Sequence, residues 1–202
     1  MIEVKNVTIK YGDKVVLDDF SVNFAENGIY CIVGPSGCGK SSLLRVISGL
    51  LKPAGGEVLI NGKAVRKPSK DIAVMYQQYE NYPWLNVLQN VLFPIKMQRR
   101  ITDEDKTKAN KILESFGLEG ENDKLPHELS GGMNQRLALA SVIMHNPPVL
   151  LMDEPLSALD PENRLKLQEF LLEFSKGDHL IIIVTHSMDE AEKLSQGKIV
   201  RL

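Results

Sequence analysis

A glycine-rich segment between an apolar run and a helical pattern constrains this chain more than any other feature. Its eight residues, Gly34-Pro35-Ser36-Gly37-Cys38-Gly39-Lys40-Ser41, fit the pattern G-x-x-x-x-G-K-[ST]. The apolar run at 28–33 predicts a buried strand, and the apolar spacing over 42–50 predicts a helix. A strand, a glycine turn and a helix N-terminus together direct backbone N–H groups and the helix dipole at an anion. The segment therefore predicts a site for a nucleoside triphosphate, with Lys40 at the β- and γ-phosphates and Ser41 on Mg²⁺.

Composition agrees with an α/β enzyme core and argues against several other classes. The chain has 202 residues, of which 43% are hydrophobic, enough for one domain or a domain with an inserted subdomain. The formal net charge is −2 with basic residues spread along the chain, so we expect no nucleic-acid partner. Cys31 and Cys38 lack metal-ligand spacing and are interpreted as reduced thiols. No signal peptide or membrane span is predicted, so we expect a soluble, cytosolic protein that reaches a membrane only through a partner.

The order of predicted elements indicates a helical insertion within an α/β core. Residues 1–28 alternate as paired strands, and Asn61-Gly62 ends a strand with a tight turn. From about residue 85 the pattern becomes helical, and Pro94 is expected to kink or end the first helix. From residue 149 buried parallel strands return around a helix. We predict one domain over 1–202, with the core and β subdomain in 1–84 and 141–202 and the helical subdomain in 85–140.

A second motif ends the apolar run Val149–Met152 with two adjacent carboxylates, Asp153 and Glu154. Beside a phosphate loop, Asp153 would hold Mg²⁺ through water and Glu154 would polarise the attacking water. Phosphoryl transfer depends mainly on positioning and charge neutralisation, which favours such groups at the carboxyl end of a strand. The structural alternative is a solvated acidic turn.

A third motif, Leu129-Ser130-Gly131-Gly132-Met133-Asn134-Gln135-Arg136, leads into a strong helical pattern. Ser130 is a suitable N-cap residue, so this segment opens a second helix N-terminus able to bind phosphate. Local sequence alone favours the simpler alternative of an ordinary capped helix.

Together these motifs closely resemble the nucleotide-binding subunit of ABC transporters, and the resemblance covers nearly the whole chain. Walker A lies at 34–41, the signature at 129–133, Walker B at 149–154, a D-loop at 157–160, and a switch histidine at His186. The resemblance implies a P-loop NTPase (ABC ATPase) core of α/β class, with an N-terminal antiparallel β subdomain and an inserted α-helical subdomain. It also implies ATP and Mg²⁺ as ligands.

The resemblance assigns roles to individual residues. It implies nucleotide binding by Tyr11, Gly34, Pro35, Ser36, Gly37, Cys38, Gly39, Lys40, Ser41, Ser42, Ser130, Gly131, Gly132 and Asp160. It implies catalytic roles for Glu154, His186, Gln77 and Lys40, and metal contacts for Ser41, Gln77 and Asp153. Tyr11 would stack on adenine, or else be a turn tyrosine; Gln78 adjoins Gln77 and leaves that register open. His186 would contact the γ-phosphate, the alternative being a structural histidine.

The same resemblance implies an assembly. Ser130 and Gly132 would face the γ-phosphate bound to a second subunit, so we expect a homodimer or a paired ATPase subunit. ATP would hold the pair together and hydrolysis would release it. Transmembrane permease subunits, together with a solute-binding protein in an importer, would place the chain at the inner face of the cell membrane.

Two local features bear on the transporter type. Met133 stands where the family usually has glutamine, which weakens the expected contact with the partner's nucleotide. The segment from Tyr82 to Val91 resembles the Pro-Trp-Leu segment of nitrate/sulfonate/taurine-type importer ATPases. Trp84 would be either a permease contact or a core anchor. The rival functions are a soluble ABC ATPase not coupled to transport and a nucleotide-binding regulator without hydrolysis.

Overall fold

The computed structural model describes residues 1–76, 81–157 and 159–202. In chain order its elements are β1 (Ile2–Tyr11), β2 (Lys14–Phe24), β3 (Gly28–Val33), α1 (Lys40–Ile47), β4 (Gly55–Ile60), β5 (Lys63–Ala64), β6 (Ile72–Met75), α2 (Val87–Lys96), α3 (Asp103–Ser115), α4 (Gly131–His145), β7 (Val149–Asp153), α5 (Pro161–Phe174), β8 (Leu180–Thr185), α6 (Met188–Ser195) and β9 (Ile199–Arg201). A short 3₁₀ helix, Pro126–Glu128, precedes α4.

The chain divides into two compact units. The first comprises residues 1–74, 148–154 and 172–202, and the second comprises residues 75–147 and 155–171. The subdomain boundaries predicted from sequence, at 84/85 and 140/141, stay predictions, because compactness by itself does not define an independently folding domain.

In the first unit an antiparallel sheet has the strand order β2-β1-β4-β5. Its two tight turns follow the sequence, since Gly12 joins β1 to β2 and Asn61-Gly62 joins β4 to β5. Asn61 and Gly62 both have positive φ, 50° and 76°, as a type I′ hairpin turn requires. β1 alternates buried and exposed residues, with an irregular register between Val4 and Val7.

The parallel sheet has the order β6-β7-β8-β3-β9. Every residue of β7 and β8 is buried, as expected for parallel strands covered on both faces. The register pairs Val33 of β3 with Thr185 of β8, and Asp153 of β7 with Val184. The carboxyl ends of β3, β7 and β8 therefore meet at one edge of the sheet.

One hydrophobic core joins α1 to both sheets. The antiparallel sheet contributes Val4, Val7 and Phe24, among others, and α1 contributes four residues including Leu43 and Leu44. Since α1 begins directly after the glycine-rich loop, this packing anchors the loop on a rigid helix.

The second unit is helical, and its helices begin at capped residues. Asn86 caps α2 and Thr102 caps α3, each in a capping box. Pro94 lies inside α2, which continues to Lys96, so the helix ends two residues after the proline. The three helices α2, α3 and α4 contact one another. Their buried apolar side chains include Val91, Leu92, Ala109, Leu113, Leu139 and Ile143.

Within the described ranges, no helix combines the length and the apolar character needed to cross a membrane. Both cysteines are free thiols: Cys31 is buried and Cys38 is half-buried. Burial raises the pKa of the Cys31 thiol to about 12, which makes it unreactive.

Candidate active site

The glycine-rich loop leaves β3 and enters α1 in a shape that only glycine adopts easily. Gly37 and Gly39 have φ values of 82° and 106°. A Cβ on Gly39 would lie 2.9 Å from the Cγ1 atom of Val16, so that position also lacks room for a side chain. Gly39 is the N-cap of α1 and no side chain caps the helix, which leaves its first backbone N–H groups available to an anion.

Lys40 supplies the positive charge of this loop. Its side chain is nearly buried, with a relative exposure of 6%. Its Nζ donates to the carbonyl oxygens of Gly34 and Pro35 at 2.7 and 2.8 Å. The ammonium group is thereby held over the loop, where phosphate oxygens can replace these carbonyls as acceptors.

Ser41 and Asp153 meet beside the loop. The Ser41 side chain is hydrogen-bonded to the carboxylate of Asp153, the last residue of β7. Burial raises the pKa of Asp153, the hydrogen bond with Ser41 lowers it, and the nearby charge of Glu154 raises it. A hydroxyl and a carboxylate are oxygen donors of the kind that Mg²⁺ prefers, so this pair fits the predicted metal. Described residues contain no cluster of three or more His, Cys, Asp or Glu side chains able to hold a metal.

Glu154 follows Asp153 in an uncommon backbone conformation. Its φ is 49°, in the left-handed region that non-glycine residues rarely occupy. Its N–H donates to Val184 O at 2.9 Å, which fixes the residue to the end of β8. Such strain is concentrated at functional sites, where the surrounding structure maintains it.

His186 lies directly beside this carboxylate. Its Nδ1 is 3.0 Å from Glu154 Oε1, and the imidazole is 61% exposed whereas the Glu154 side chain is 17% exposed. The turn that carries His186 is fixed by Thr185, whose Oγ1 donates to Glu190 and accepts from the N–H of Ser187. A carboxylate and an imidazole in hydrogen-bond contact thus stand at the edge of the sheet that also carries the phosphate loop.

Tyr11 ends β1 and reaches the start of α1. Its hydroxyl is 3.1 Å from Ser42 Oγ, and 46% of the residue is exposed. The ring is therefore available next to the phosphate loop, although the stacking on adenine stays a prediction.

The signature segment belongs to the second unit. Ser130 is the N-cap of α4, and its Oγ accepts from the N–H of Met133 at 3.3 Å. Gly131 and Gly132 form the first turn, so the capped helix is present, whereas phosphate binding at this N-terminus stays a prediction. Asp160 accepts from the N–H and the side chain of Asn163 at 3.0 and 2.6 Å, and these bonds lower its pKa.

The structure brings five predicted residues together in the first unit: Lys40, Ser41, Asp153, Glu154 and His186. Ser130, Gly131, Gly132 and Asp160 belong to the second unit. Gln77 and Gln78 lie outside the described residues, as does Ala158 of the predicted D-loop.

Sequence reasoning missed two asparagines beside the signature. Asn81 Nδ2 donates to the backbone O and the Oδ1 of Asn134, both at 2.9 Å. The one available signal was the position of Asn134, four residues after Ser130 and hence one helical turn further along.

The fold and the site define a nucleoside triphosphatase with a P-loop after β3 and two carboxylates at the end of β7, which is separated from β3 by β8 in the same sheet. A family model described as ABC transporter matches residues 17–157. The chain belongs to the ABC transporter family and is an ABC ATPase, which confirms the predicted fold class and enzyme class.

Individual relatives agree with this assignment. The uncharacterized ABC transporter ATP-binding protein MJ0412 of Methanocaldococcus jannaschii is 42% identical over 98% of this chain and 76% of its own length. The spermidine/putrescine import ATP-binding protein PotA of Nitrosospira multiformis is 37% identical over 96% of this chain and 55% of its own.

The fold is also similar to a solved structure, the dimeric ABC transporter cassette MJ0796. Its TM-score is 0.87 at 32% identity, covering 100% of this chain and 94% of that chain. A second structure of the same cassette is a dimeric post-hydrolysis state bound to ADP and phosphate.

Proposed function

We propose that this chain hydrolyses ATP as a head-to-tail dimer and thereby drives solute transport through separate membrane permease subunits. The observation that carries the proposal is the Glu154–His186 pair, in hydrogen-bond contact next to the Ser41–Asp153 pair and the phosphate loop. A nucleotide-binding regulator without hydrolysis would not need a base and an orienting histidine at this edge.

In the proposed reaction, a water molecule attacks the γ-phosphorus of ATP and the bond to the β-phosphate oxygen breaks, giving ADP and inorganic phosphate. Glu154 accepts the proton of the attacking water. His186 holds the Glu154 carboxylate through Nδ1 and presents its other ring nitrogen toward the γ-phosphate. Lys40 transfers its hydrogen bonds from Gly34 O and Pro35 O to phosphate oxygens, which offsets the negative charge of the nucleotide.

Mg²⁺ is the proposed metal, held by Ser41, by Asp153 through water, and by Gln77. When bound, it neutralises charge on the phosphate oxygens. We expect Mg²⁺ with ATP to raise the melting temperature more than ATP alone. That difference should disappear in the Asp153→Asn chain and persist in a control Asp178→Asn chain.

The dimer is proposed because one chain carries one phosphate loop and one signature segment. The MJ0796 cassette has a dimeric structure, which supports the proposal for this chain. In the dimer, Ser130 and Gly132 of each subunit contact the γ-phosphate bound to the other.

For transport, we propose import of a small solute or anion, with the permease and a solute-binding protein determining its identity. The Pro-Trp-Leu segment supports a nitrate/sulfonate/taurine-type importer, whereas the relatives of this chain include spermidine/putrescine import ATP-binding proteins. Trp84 is 71% exposed, which favours a permease contact over a core anchor. The chain would then lie at the cytoplasmic face of the cell membrane.

The test uses the Glu154→Gln chain, which should bind ATP without hydrolysing it. We expect sedimentation velocity to show an ATP-dependent dimer, and we expect Ser130→Ala in the same background to weaken it. A chain that stays monomeric at saturating ATP would overturn the dimer proposal. Transport coupling is tested by purifying the full chain from membranes and measuring whether a co-purifying membrane subunit increases its ATPase rate.

A further inference from the structure

A surface groove in the second unit shares its wall with the signature segment. The groove has a volume of about 650 Å³, and its lining includes Asn81, Tyr82, Trp84, Pro126 and Asn134. Asn134 therefore borders the groove while lying one helical turn after Ser130. Asn134 is thus placed to couple the groove to the position of Ser130.

On the signature side, Asn134 holds the backbone that presents Ser130. Its Nδ2 lies within hydrogen-bond distance of three carbonyl oxygens, those of Pro126 at 2.8 Å, Ser130 at 3.3 Å and Leu129 at 3.4 Å. Its own backbone N–H donates to Ser130 O at 2.9 Å. A displacement of the Asn134 side chain would therefore release the turn that leads into Ser130.

On the groove side, Asn134 is tied to Asn81 by the two bonds at 2.9 Å. Because the Asn134 amide donates to carbonyls with Nδ2, its Oδ1 is left to accept from Asn81. Both the Nδ2 and the Oδ1 of Asn134 have hydrogen-bond partners, so the orientation of its amide group is determined, and Asn81 is the donor in the bond between the two side chains.

Trp84 shares a stiff loop with Asn81. Asn90, which is 2% exposed, accepts from Tyr82 N at 2.8 Å and donates to the carbonyls of Tyr82 and Leu85 at 3.2 and 2.8 Å. The Tyr82 ring also packs on Trp84 and Phe93, with centroid distances of 5.8 and 4.2 Å. Residues 81–86, which we call the Trp84 loop, are thus braced along their length, and Asn81 connects them to Asn134.

We infer that Asn134 is a positioning residue that couples occupancy of the Trp84 groove to the placement of Ser130. The occupant is the permease subunit whose contact with Trp84 is proposed above. When it shifts the Trp84 loop, it displaces Asn81 and then Asn134, and so changes the orientation of the Ser130 hydroxyl. Coupling between two sites is reciprocal. Contact of Ser130 with the nucleotide bound to the other subunit therefore changes the conformation of the Trp84 loop by the same coupling free energy. The inference rests on the proposed function, because it needs Ser130 to act in an ATP-bound dimer.

The effect of Ser130 contact on the Trp84 loop can be measured with this chain alone. Trp84 is the single tryptophan of the sequence, so its fluorescence reports the groove without labelling. The experiment titrates ATP and Mg²⁺ into the Glu154→Gln chain while recording Trp84 emission, its quenching by acrylamide, and dimer formation by sedimentation.

We expect emission and quenching to change as the dimer forms. Asn81→Ala should keep the dimer and lose most of the change in emission, because only the connection to the loop is cut. Asn134→Ala should also weaken the dimer about threefold to tenfold, as expected for losing one or two hydrogen bonds. If Asn134→Ala folds poorly, Asn81→Ala, which removes fewer hydrogen bonds, tests the inference instead. Asn122→Ala, which breaks an exposed bond to Asn110 in the same unit, is the matched control and should behave like the parent.

The outcomes separate the two proposals. A dimer whose Trp84 emission does not change overturns the inference alone, and so does an Asn81→Ala chain whose emission changes as in the parent. Failure of every chain to dimerise at saturating ATP overturns the proposed function and the inference with it.

Discussion

The N-termini of α1 and α4 both follow short glycine-containing segments, yet they are built for different tasks. α1 has glycine as its N-cap, no capping side chain, and the nearly buried ammonium group of Lys40 at its first residue. α4 has a serine N-cap whose hydroxyl accepts from the helix itself, and its first turn holds no charged residue. The N-terminus of α1 can bind a polyphosphate by itself, whereas the N-terminus of α4 supplies the helix dipole and a hydroxyl group but no positively charged side chain. Of these two helix N-termini, only that of α1 combines an N-cap without a side-chain hydrogen bond with a neighbouring ammonium group.

The largest expected effect tests ATP hydrolysis at the site beside the N-terminus of α1. Glu154→Gln should reduce steady-state phosphate release about a hundredfold to ten-thousandfold, since it removes a general base while keeping its shape. ATP binding should be nearly unchanged. Glu162→Gln, which alters an exposed carboxylate paired with Lys166, is the control and should stay within about twofold. Persistent turnover in the Glu154→Gln chain would remove Glu154 from the role of base.

The next largest effect concerns the ammonium group of Lys40. Lys40→Ala should weaken ATP binding by the single chain about a hundredfold, because charge-assisted hydrogen bonds to phosphate are lost. Isothermal titration calorimetry measures this directly. Lys106→Ala changes an exposed lysine paired with Asp103 and should have no effect. Equal affinities for the parent and Lys40→Ala would show that the α1 end does not depend on its cation.

Ser130→Ala probes the α4 end and should separate binding from turnover. We expect hydrolysis to fall about tenfold from loss of one hydroxyl contact to phosphate, with ATP affinity of the monomer unchanged. Ser130→Asp keeps an N-cap acceptor but adds negative charge, so it should reduce hydrolysis at least as much as Ser130→Ala, which distinguishes phosphate contact from helix capping. Ser115→Ala is the control. If Ser130→Ala also weakened monomer binding, the two helix ends would not be divided between subunits.

The smallest effect concerns the scaffold of the second unit. Arg99 forms two hydrogen bonds with the Asp105 carboxylate, at 2.6 and 2.8 Å, and together with Thr102 it lowers the pKa of Asp105. A lowered pKa in the folded state stabilises the protein above the ordinary aspartate pKa, and this stability is lost as the pH falls below it. Asp105→Asn should lower the melting temperature by about 2–4 °C at pH 7.

The pH dependence provides the sharper check. The difference between the parent and Asp105→Asn should shrink progressively as the pH is lowered below about 4, because the Asp105 carboxyl then takes up a proton in the unfolded chain, whereas in the folded chain its lowered pKa keeps it ionised until the pH is lower still. Asp103→Asn alters an exposed carboxylate on the same helix and should change the melting temperature much less. A difference that does not vary with pH would assign the effect to shape rather than charge.

The first unit could be predicted further from sequence than the second. The strand–loop–helix around Lys40, the Asn61-Gly62 turn and the carboxylates after β7 each depend on neighbouring residues and on periodicity. The structure confirms the α/β fold built from them. By contrast, the start of α5 at Pro161 could not be predicted from apolar periodicity, because the first turn of this helix is polar and lacks that signal.

The sequence by itself determined which groups this chain has for phosphate, since glycine, lysine, serine and carboxylate at fixed spacing have few other uses. Tertiary structure decided which of those groups meet. Glu154 and His186 are 32 residues apart and touch only because β7 and β8 are parallel neighbours that end at the same edge. Asn81 and Asn134 are 53 residues apart and carry no motif, so their contact follows from helix packing alone. Periodicity and spacing describe what is local, whereas pairing across long loops is set by the packed core.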